Sequence, residues 1–169
     1  MVTTMDDRRP LAIVDLDGVV ADVRHRLRFL RSRPKDWDQF FAAAHADPAH
    51  PEGLAVVARL ADDHEIVFVT GRPDRLRQRT VDWLETYGLG EHRLVMRPEG
   101  DRRPAAQVKR ELVDALARDR DIGMIVDDDE LVLDALRDAG YPTFAADWER
   151  RHAEDERSLL EAQEVTGQT

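Results

Sequence analysis

LAIVDLDGVV, residues 11–20, contains the features on which the expected fold and chemistry of this chain depend. Four apolar residues precede Asp15, and a short apolar run bounded by a glycine predicts a buried strand. A single residue, Leu16, separates Asp15 from Asp17. Alternate residues of a strand point to the same side, so both carboxylates lie on one side of the strand if it extends that far. Two ionised carboxylates so close repel each other and need a cation, a shared proton or separation. A simple turn after the strand would explain Asp17-Gly18 equally well.

Two other apolar runs end in polar groups in the same way. EIVFV, residues 65–69, precedes Thr70, and IGMIV, residues 122–126, precedes Asp127 and Asp128. In an open parallel α/β sheet, ligands bind outside the carboxyl ends of the strands. We therefore expect the three strand ends to meet at one crevice, and this recurrence favours a functional site over turn chemistry.

From residue 51 onward, apolar runs alternate with segments of helical periodicity. This alternation predicts an α/β fold of the Rossmann-like kind, with a parallel sheet and helices on both faces. The length of 169 residues fits a single domain. Its core takes in about residues 10–20 and 51–146, a small helical cap about 21–50, and a C-terminal helix or tail 147–169. Pro73 is expected in the first turn of the helix that follows the second strand.

The inserted segment 21–50 predicts two short helices. Residues 21–33 carry apolar side chains at helical spacing, with arginines on the other faces, until Pro34 interrupts them. Asp36 is a candidate N-cap for the helix WDQFFAAAH. The aromatic side chains of that helix favour a packing stripe over a base-stacking surface; they are Trp37, Phe40 and Phe41.

The composition excludes several classes of function. The chain has no cysteine, which excludes disulfides, thiolate metal sites and cysteine nucleophiles. Its net charge of −10 argues against nonspecific clamping of duplex nucleic acid but is compatible with a local arginine patch. No apolar run approaches the roughly 18 residues of a membrane span, and the N-terminus lacks the apolar region of a signal peptide. We therefore expect a cytoplasmic protein without a membrane partner.

The polar groups at the strand ends form a hard oxygen site that contains no histidine. Carboxylates of this kind bind Mg²⁺ together with waters and a substrate phosphate. One carboxylate can attack a phosphoryl group, and a second can protonate the leaving alkoxide and then activate water. A hydroxyl, backbone N–H groups and an ammonium can hold the phosphoryl oxygens. The candidate groups are Asp15, Asp17, Thr70, Lys109, Asp127 and Asp128.

In these residues the chain resembles the haloacid dehalogenase (HAD) superfamily of phosphatases. DLDGVV is similar to the first motif of that superfamily, and the resemblance implies that Asp15 is the nucleophile and Asp17 the general acid and base. Thr70 in VFVTGR resembles the second motif, Lys109 the third and the Asp127-Asp128 pair the fourth. The resemblance also implies one Mg²⁺, for which Asp17 supplies its backbone carbonyl and Asp128 acts through water; the metal-binding residues are Asp15, Asp17, Asp127 and Asp128.

A closer resemblance is to the 3′-phosphatase domain of polynucleotide kinase-phosphatases and their stand-alone bacterial relatives. An arginine follows the first motif, another follows Thr70-Gly71, and the basic loop LVMRPEGDRRPAAQVKREL leads to Lys109. The resemblance implies that Gly71 and a set of arginines contact substrate. The arginines are Arg24, Arg26, Arg72, Arg97 and Arg103. We expect Arg26, Arg72 and the loop 97–103 to surround the mouth of the site.

Two departures from that family concern the substrate rather than the core chemistry. Ala105 stands where relatives usually have an acidic residue four positions before the lysine, and Asp129-Glu130 stands where a basic residue often follows the aspartate pair. No GxxxxGK[ST] sequence occurs, so the kinase half of the bifunctional enzymes is absent from this chain.

Three functions remain in competition at this point. The first is a Mg²⁺-dependent phosphatase acting on a nucleic-acid 3′ end or a phosphorylated nucleotide. The second is a HAD phosphatase for a small phosphomonoester such as a nucleoside monophosphate, because a short insertion leaves the site open. The third is a non-catalytic phosphate-binding module, against which the intact Asp15 and Asp17 argue.

Overall fold

The computed structural model describes residues 8–166, with side chains described from 8 to 161. Within this range, five strands form one sheet: β1 (Leu11–Val14), β2 (Glu65–Pro73), β3 (Arg93–Arg97), β4 (Ile122–Asp127) and β5 (Thr143–Ala145). Their order is β3-β2-β1-β4-β5, and every pairing is parallel. The predicted α/β class is confirmed, with the strand that precedes Asp15 at the centre of the sheet.

Seven α-helices are described around this sheet. They are α1 (Arg28–Arg31), α2 (Trp37–Ala42), α3 (Pro51–Leu60), α4 (Arg77–Thr86), α5 (Ala105–Ala117), α6 (Glu130–Asp138) and α7 (Trp148–Thr166). The segment between β1 and α3 holds α1, α2 and two 3₁₀ turns, in the place expected for the small cap. Along the described part of the chain, no helix is both long and apolar enough to cross a membrane.

The central strand β1 is apolar throughout because both of its faces are covered. Ala12 and Val14 point into a cluster that includes side chains of α3, α4 and α7. Leu11 and Ile13 point into the opposite cluster, to which α5 and α6 contribute. A strand buried on both faces has no polar side to show, which is why it appears in the sequence as a continuous apolar run.

Two sequence-based expectations about local structure are wrong. Residues 21–33 do not form one helix, because a 3₁₀ turn at Arg24–Arg26 precedes the four-residue α1. The side chain of Asp22 accepts hydrogen bonds from the backbone N–H and the guanidinium of Arg24. These local hydrogen bonds compete with the backbone hydrogen bonds of a helix. Pro73 ends β2 instead of starting a helix, and a 3₁₀ turn at Asp74–Leu76 leads into α4. Asp36 does cap α2, accepting a hydrogen bond from Gln39 N at 3.0 Å.

Helix α7 contacts the residues that lead from β1 into the inserted segment. The indole of Trp148 donates a hydrogen bond to Val19 O at 2.8 Å, and Glu149 accepts one from Val23 N at 2.9 Å. Farther along the helix, Glu156 pairs with Arg24 at 2.7 Å. The C-terminal segment therefore packs against the residues that lead from β1 into the insertion, while residues 167–169 lie outside the described part.

Candidate active site

The carboxyl ends of the three central strands carry the predicted functional groups. Because β1 pairs with β2 on one side and β4 on the other, all in parallel, Asp15, Thr70 and Asp127 lie at the same edge of the sheet. Asp15 N donates to Val126 O at 2.9 Å, so the residue stays bound to β4 after β1 ends. All three side chains are buried.

Lys109 joins two of these strand ends from α5. Its ammonium lies 2.5 Å from Asp127 Oδ2 and 3.0 Å from Asp15 Oδ1. Burial lowers the pKa of Lys109, but the charges of Asp127 and Asp15 outweigh burial and raise it above its usual value. The ammonium is therefore charged at neutral pH. Although close to Lys109, Asp15 Oδ1 has no well-aligned hydrogen bond to any described group.

Three carboxylates meet beside this lysine. Ligand oxygens of Asp15, Asp127 and Asp128 all lie within 4.8 Å of one another. Burial is the largest cause of a pKa of Asp15 well above its usual value, and burial together with the charge of Asp127 raises the pKa of Asp128 to about 7. One lysine does not offset three acidic groups, so a divalent cation that prefers oxygen ligands fits this cluster.

Gly18 is required for this approach of the carboxylates. It has a φ of +81°, and a Cβ at this position would lie 2.1 Å from Asp128 Oδ2. The glycine of the first motif therefore permits both the turn after Asp17 and the close approach of Asp128.

The carboxylate of Asp17 belongs to a separate group. Its Oδ1 accepts hydrogen bonds from Arg26 Nη2 at 2.8 Å and from Arg72 Nε and Nη2 at 2.9 and 2.6 Å. Burial by itself raises the pKa of Asp17, but the charges and hydrogen bonds of Arg72 and Arg26 outweigh it and hold the pKa below its usual value. The two aspartates of the DxDG motif therefore have opposite electrostatic environments.

Asp47 is the member of this group that sequence reasoning missed. It accepts hydrogen bonds from Arg26 Nε at 2.8 Å and Nη2 at 2.6 Å, and from Arg72 Nη2 at 3.1 Å. His25 Nε2 lies 2.7 Å from the same carboxylate. Periodicity gives no indication of this role. Two buried arginines need more than one carboxylate, but only the fold shows that Arg26 and Arg72 are buried, so the sequence offered no sign of Asp47.

Arg26 and Arg72 do not lie at the mouth of the site, so the expectation about their position is wrong. The two residues are 0% and 1% exposed, and their guanidinium groups lie between Asp17 and Asp47. Two carboxylates retain them in the interior, because a buried cation without partners is costly. A direct contact of either arginine with substrate stays a prediction.

The other predicted arginines are also bound within the protein. Arg24 pairs with Asp22 and Glu156 instead of with a carboxylate of the cluster. Arg97 donates to three backbone carbonyls, those of Gly71 at 3.2 Å, Asp101 at 3.1 Å and Arg103 at 2.8 Å. Arg103 pairs with Asp101 and Glu111. Arg97 and Arg103 thus shape the loop between β3 and α5 and connect it to Gly71.

The family and the structures to which this chain is similar agree with a phosphatase site. The sequence of residues 9–148 matches the model of the family described as polynucleotide kinase PNKP phosphatase domain. No curated protein sequence gives a significant match. A chain of the Pnkp1/Rnl/Hen1 RNA repair complex superposes with a TM-score of 0.68 at 21% identity, covering 86% of this chain and 46% of that one. This chain therefore spans less than half of that relative.

Similar structures of HAD hydrolases cover both chains more evenly. A haloacid dehalogenase-like protein from Streptococcus pneumoniae gives a TM-score of 0.52 at 11% identity, covering 81% of this chain and 84% of that one. A haloacid dehalogenase-like hydrolase from Burkholderia xenovorans gives 0.55 at 13% identity, covering 82% and 81%. At such identities the likeness shows the fold.

Proposed function

Because the chain belongs to the family of PNKP phosphatase domains within the HAD hydrolases, we propose that this phosphatase is a Mg²⁺-dependent polynucleotide 3′-phosphatase that works through an aspartyl-phosphate. The observation that carries the proposal is the division between the two aspartates. Asp15 lies in a carboxylate cluster with Lys109, whereas Asp17 is held apart by Arg26 and Arg72. A nucleophile and an acid-base group need different environments of this kind.

The metal would be held by Asp15, Asp127 and Asp128, whose oxygens are close enough to share one ion. The backbone carbonyl of Asp17 stays a predicted further ligand. When bound, Mg²⁺ would neutralise part of the charge on these carboxylates and on the phosphoryl oxygens. Asp15 Oδ1 lies near Lys109 but has no well-aligned hydrogen bond among the described groups, and the pKa values of Asp15 and Asp128 are raised; both observations support this assignment. Both features describe a carboxylate cluster that lacks enough positive charge.

In the first step, a carboxylate oxygen of Asp15 forms a bond to phosphorus while the bond from phosphorus to the 3′ oxygen breaks. Asp17 gives a proton to the departing 3′ oxygen. In the second step, Asp17 removes a proton from a water molecule that attacks the phosphorus. The bond between phosphorus and Asp15 then breaks, which releases inorganic phosphate and regenerates both side chains.

The environment of Asp17 suits a group that acts in both directions. Its two arginine partners keep the carboxylate ionised in the free protein, as the base of the second step requires. A phosphate dianion bound beside Asp17 would raise its pKa, because a nearby negative charge disfavours ionisation. Substrate binding would thus help load the proton that the first step uses.

Lys109 and Thr70 would hold the phosphoryl group. The ammonium of Lys109 is fixed between Asp127 and Asp15, so it needs little reorganisation when charge moves to the phosphoryl oxygens. The hydroxyl of Thr70 already accepts a hydrogen bond from Arg72 N at 3.2 Å, which leaves its own proton available to a phosphoryl oxygen.

The nucleic-acid substrate rests on the family match across residues 9–148 and on the likeness to a chain of an RNA repair complex. The test is a phosphate-release screen of 3′-phosphorylated oligonucleotides against nucleoside monophosphates and sugar phosphates, with Mg²⁺ and with a chelator. We expect the oligonucleotides to give the highest kcat/KM. A preference for a small monoester would instead establish the small-molecule phosphatase.

Acid quenching tests the covalent intermediate separately. With substrate labelled in the 3′ phosphate, the label should be retained on the wild-type protein and absent from Asp15→Asn. The variant should also lose turnover while retaining its fold. Residual hydrolysis by Asp15→Asn within tenfold of wild type would exclude covalent catalysis by Asp15.

A further inference from the structure

A wide groove leads away from the catalytic strand ends, between the insertion and the core. Its volume is about 1240 Å³. One side is formed by residues 32–38 and Phe41, and the other by Pro73, Arg75 and the loop 97–103. Gly71, which directly follows Thr70, also lines it. The groove exceeds the roughly 300–1,000 Å³ of a small-molecule pocket, so a monoester alone would leave most of it unfilled.

Trp37 presents aromatic surface to this groove. It stacks on Phe41 with 5.9 Å between ring centroids and meets the edge of Phe40 at 5.7 Å. Phe40 is buried, in agreement with the predicted packing stripe, but Trp37 is 48% exposed. Half of the indole is therefore not used in packing. Its position at the start of α2, with Asp36 as the cap, fixes the ring on a rigid element.

The groove is positively charged although the chain carries a net charge of −10. Six cationic and four acidic side chains line it. Three of the cations, Arg75, Arg97 and Arg103, bond to acids or backbone carbonyls and maintain its shape.

The remaining three cations are Arg33, Lys35 and Arg102, and all of them are exposed. Lys35 Nζ lies 5.7 Å from the centroid of the Trp37 ring. Neither Arg33 nor Arg102 has a hydrogen-bond or ion-pair partner among the described side chains. An exposed aromatic ring with one cation 5.7 Å away, in a groove that two further cations without acidic partners also line, matches the alternating bases and phosphates of a single strand.

We propose that this groove binds the nucleotides that precede the 3′-terminal phosphate, with one base stacked on Trp37 and the internucleotide phosphates near Lys35, Arg33 and Arg102. This inference rests on the proposed function, because it assigns the part of the same substrate that lies outside the catalytic cluster. Stacking is tolerant of base identity. The groove would therefore select for strand length rather than for sequence.

The test compares three substrates: a 3′-phosphorylated hexanucleotide, a nucleoside 3′-monophosphate and p-nitrophenyl phosphate. In Trp37→Ala, KM for the hexanucleotide should rise about tenfold, with kcat nearly unchanged. Activity on p-nitrophenyl phosphate should remain as in the parent, and Trp37→Phe should restore most of the affinity. Arg102→Ala should raise KM for the hexanucleotide alone, whereas Arg59→Ala, an exposed arginine of α3 outside the groove, should not.

The outcomes separate this inference from the proposed function. A parent protein that hydrolyses p-nitrophenyl phosphate but no 3′-phosphorylated oligonucleotide would overturn both. If the parent hydrolyses the hexanucleotide and Trp37→Ala lowers kcat/KM equally for all three substrates, Trp37 serves only to pack the insertion. If KM for the hexanucleotide is unchanged in both Trp37→Ala and Arg102→Ala, the groove does not bind the strand, whereas the proposed phosphatase function still stands.

Discussion

Arg72 donates two hydrogen bonds to one oxygen of Asp17, from Nε at 2.9 Å and from Nη2 at 2.6 Å. The same Nη2 also lies 3.1 Å from Asp47 Oδ2. One guanidinium therefore connects the second aspartate of the DxDG motif to an acid of the insertion. The fork geometry of arginine permits this arrangement, and a lysine ammonium does not reproduce it.

Arg72→Lys should move the pH dependence of catalysis. Because Arg72 holds the pKa of Asp17 below its usual value, its replacement should raise that pKa. The limb of the kcat profile that reports Asp17 should then move to higher pH. Because Asp17 also loses the two hydrogen bonds that position it, kcat at neutral pH should fall by about 10²-fold. Arg24→Lys is the matched control, since Arg24 pairs with Asp22 and Glu156 and does not contact Asp17. An unshifted profile would mean that Arg72 does not tune Asp17.

Asp47→Ala should destabilise the fold as well as reduce activity. It leaves Arg26 and Arg72 buried with a single carboxylate between them. Removing one partner of a buried ion pair costs about 3–5 kcal/mol, so the Tm should fall by roughly 10 °C in a thermal melt. Asp47→Asn retains an acceptor and should lose less. A change in Tm below about 2 °C in Asp47→Ala would contradict a structural role for this network.

Asp15→Asn should be at least as stable as the parent in metal-free buffer, and its advantage should grow with pH. Burial raises the pKa of Asp15 above its unfolded value of 3.8, so the protonated carboxyl is the form that the fold favours. The stability gained in this way is complete below pH 3.8 and is lost as pH rises through the folded-state pKa. Asparagine does not titrate. Melts from pH 4 to pH 8 should therefore show a widening difference in Tm, and a narrowing difference would refute the assignment.

Lys109→Met should make the fold more dependent on a divalent cation. The variant leaves Asp15 and Asp127 without their ammonium partner, which destabilises the metal-free protein. Mg²⁺ should raise the Tm of this variant more than that of the parent, because the ion would supply the missing positive charge. Na⁺ at matched ionic strength separates site binding from screening. Equal Mg²⁺ effects on variant and parent would argue against a cation beside Lys109.

The central sheet and the carboxylate cluster could be predicted from the sequence because both depend on patterns between residues that are close along the chain. Each apolar run is buried on two faces, so the strand and the polar residue at its end can be identified without knowing which strands pair with it. Parallel pairing then brings Asp15, Thr70 and Asp127 to one edge. Lys109 follows from its place on the helix before β4. These assignments need no knowledge of distant side-chain contacts.

The strands, their polar ends and the order of the motifs follow from local sequence patterns, whereas the partners of the arginines depend on how the chain folds. Arg26 and Arg72 meet Asp17 and Asp47 across 9 to 55 residues of sequence. Periodicity predicts which side of an element is apolar, but an arginine on the polar side can equally face water. Only the folded chain shows that two carboxylates surround these guanidinium groups, and this compensation allows them to be buried beneath the site instead of lying at its mouth.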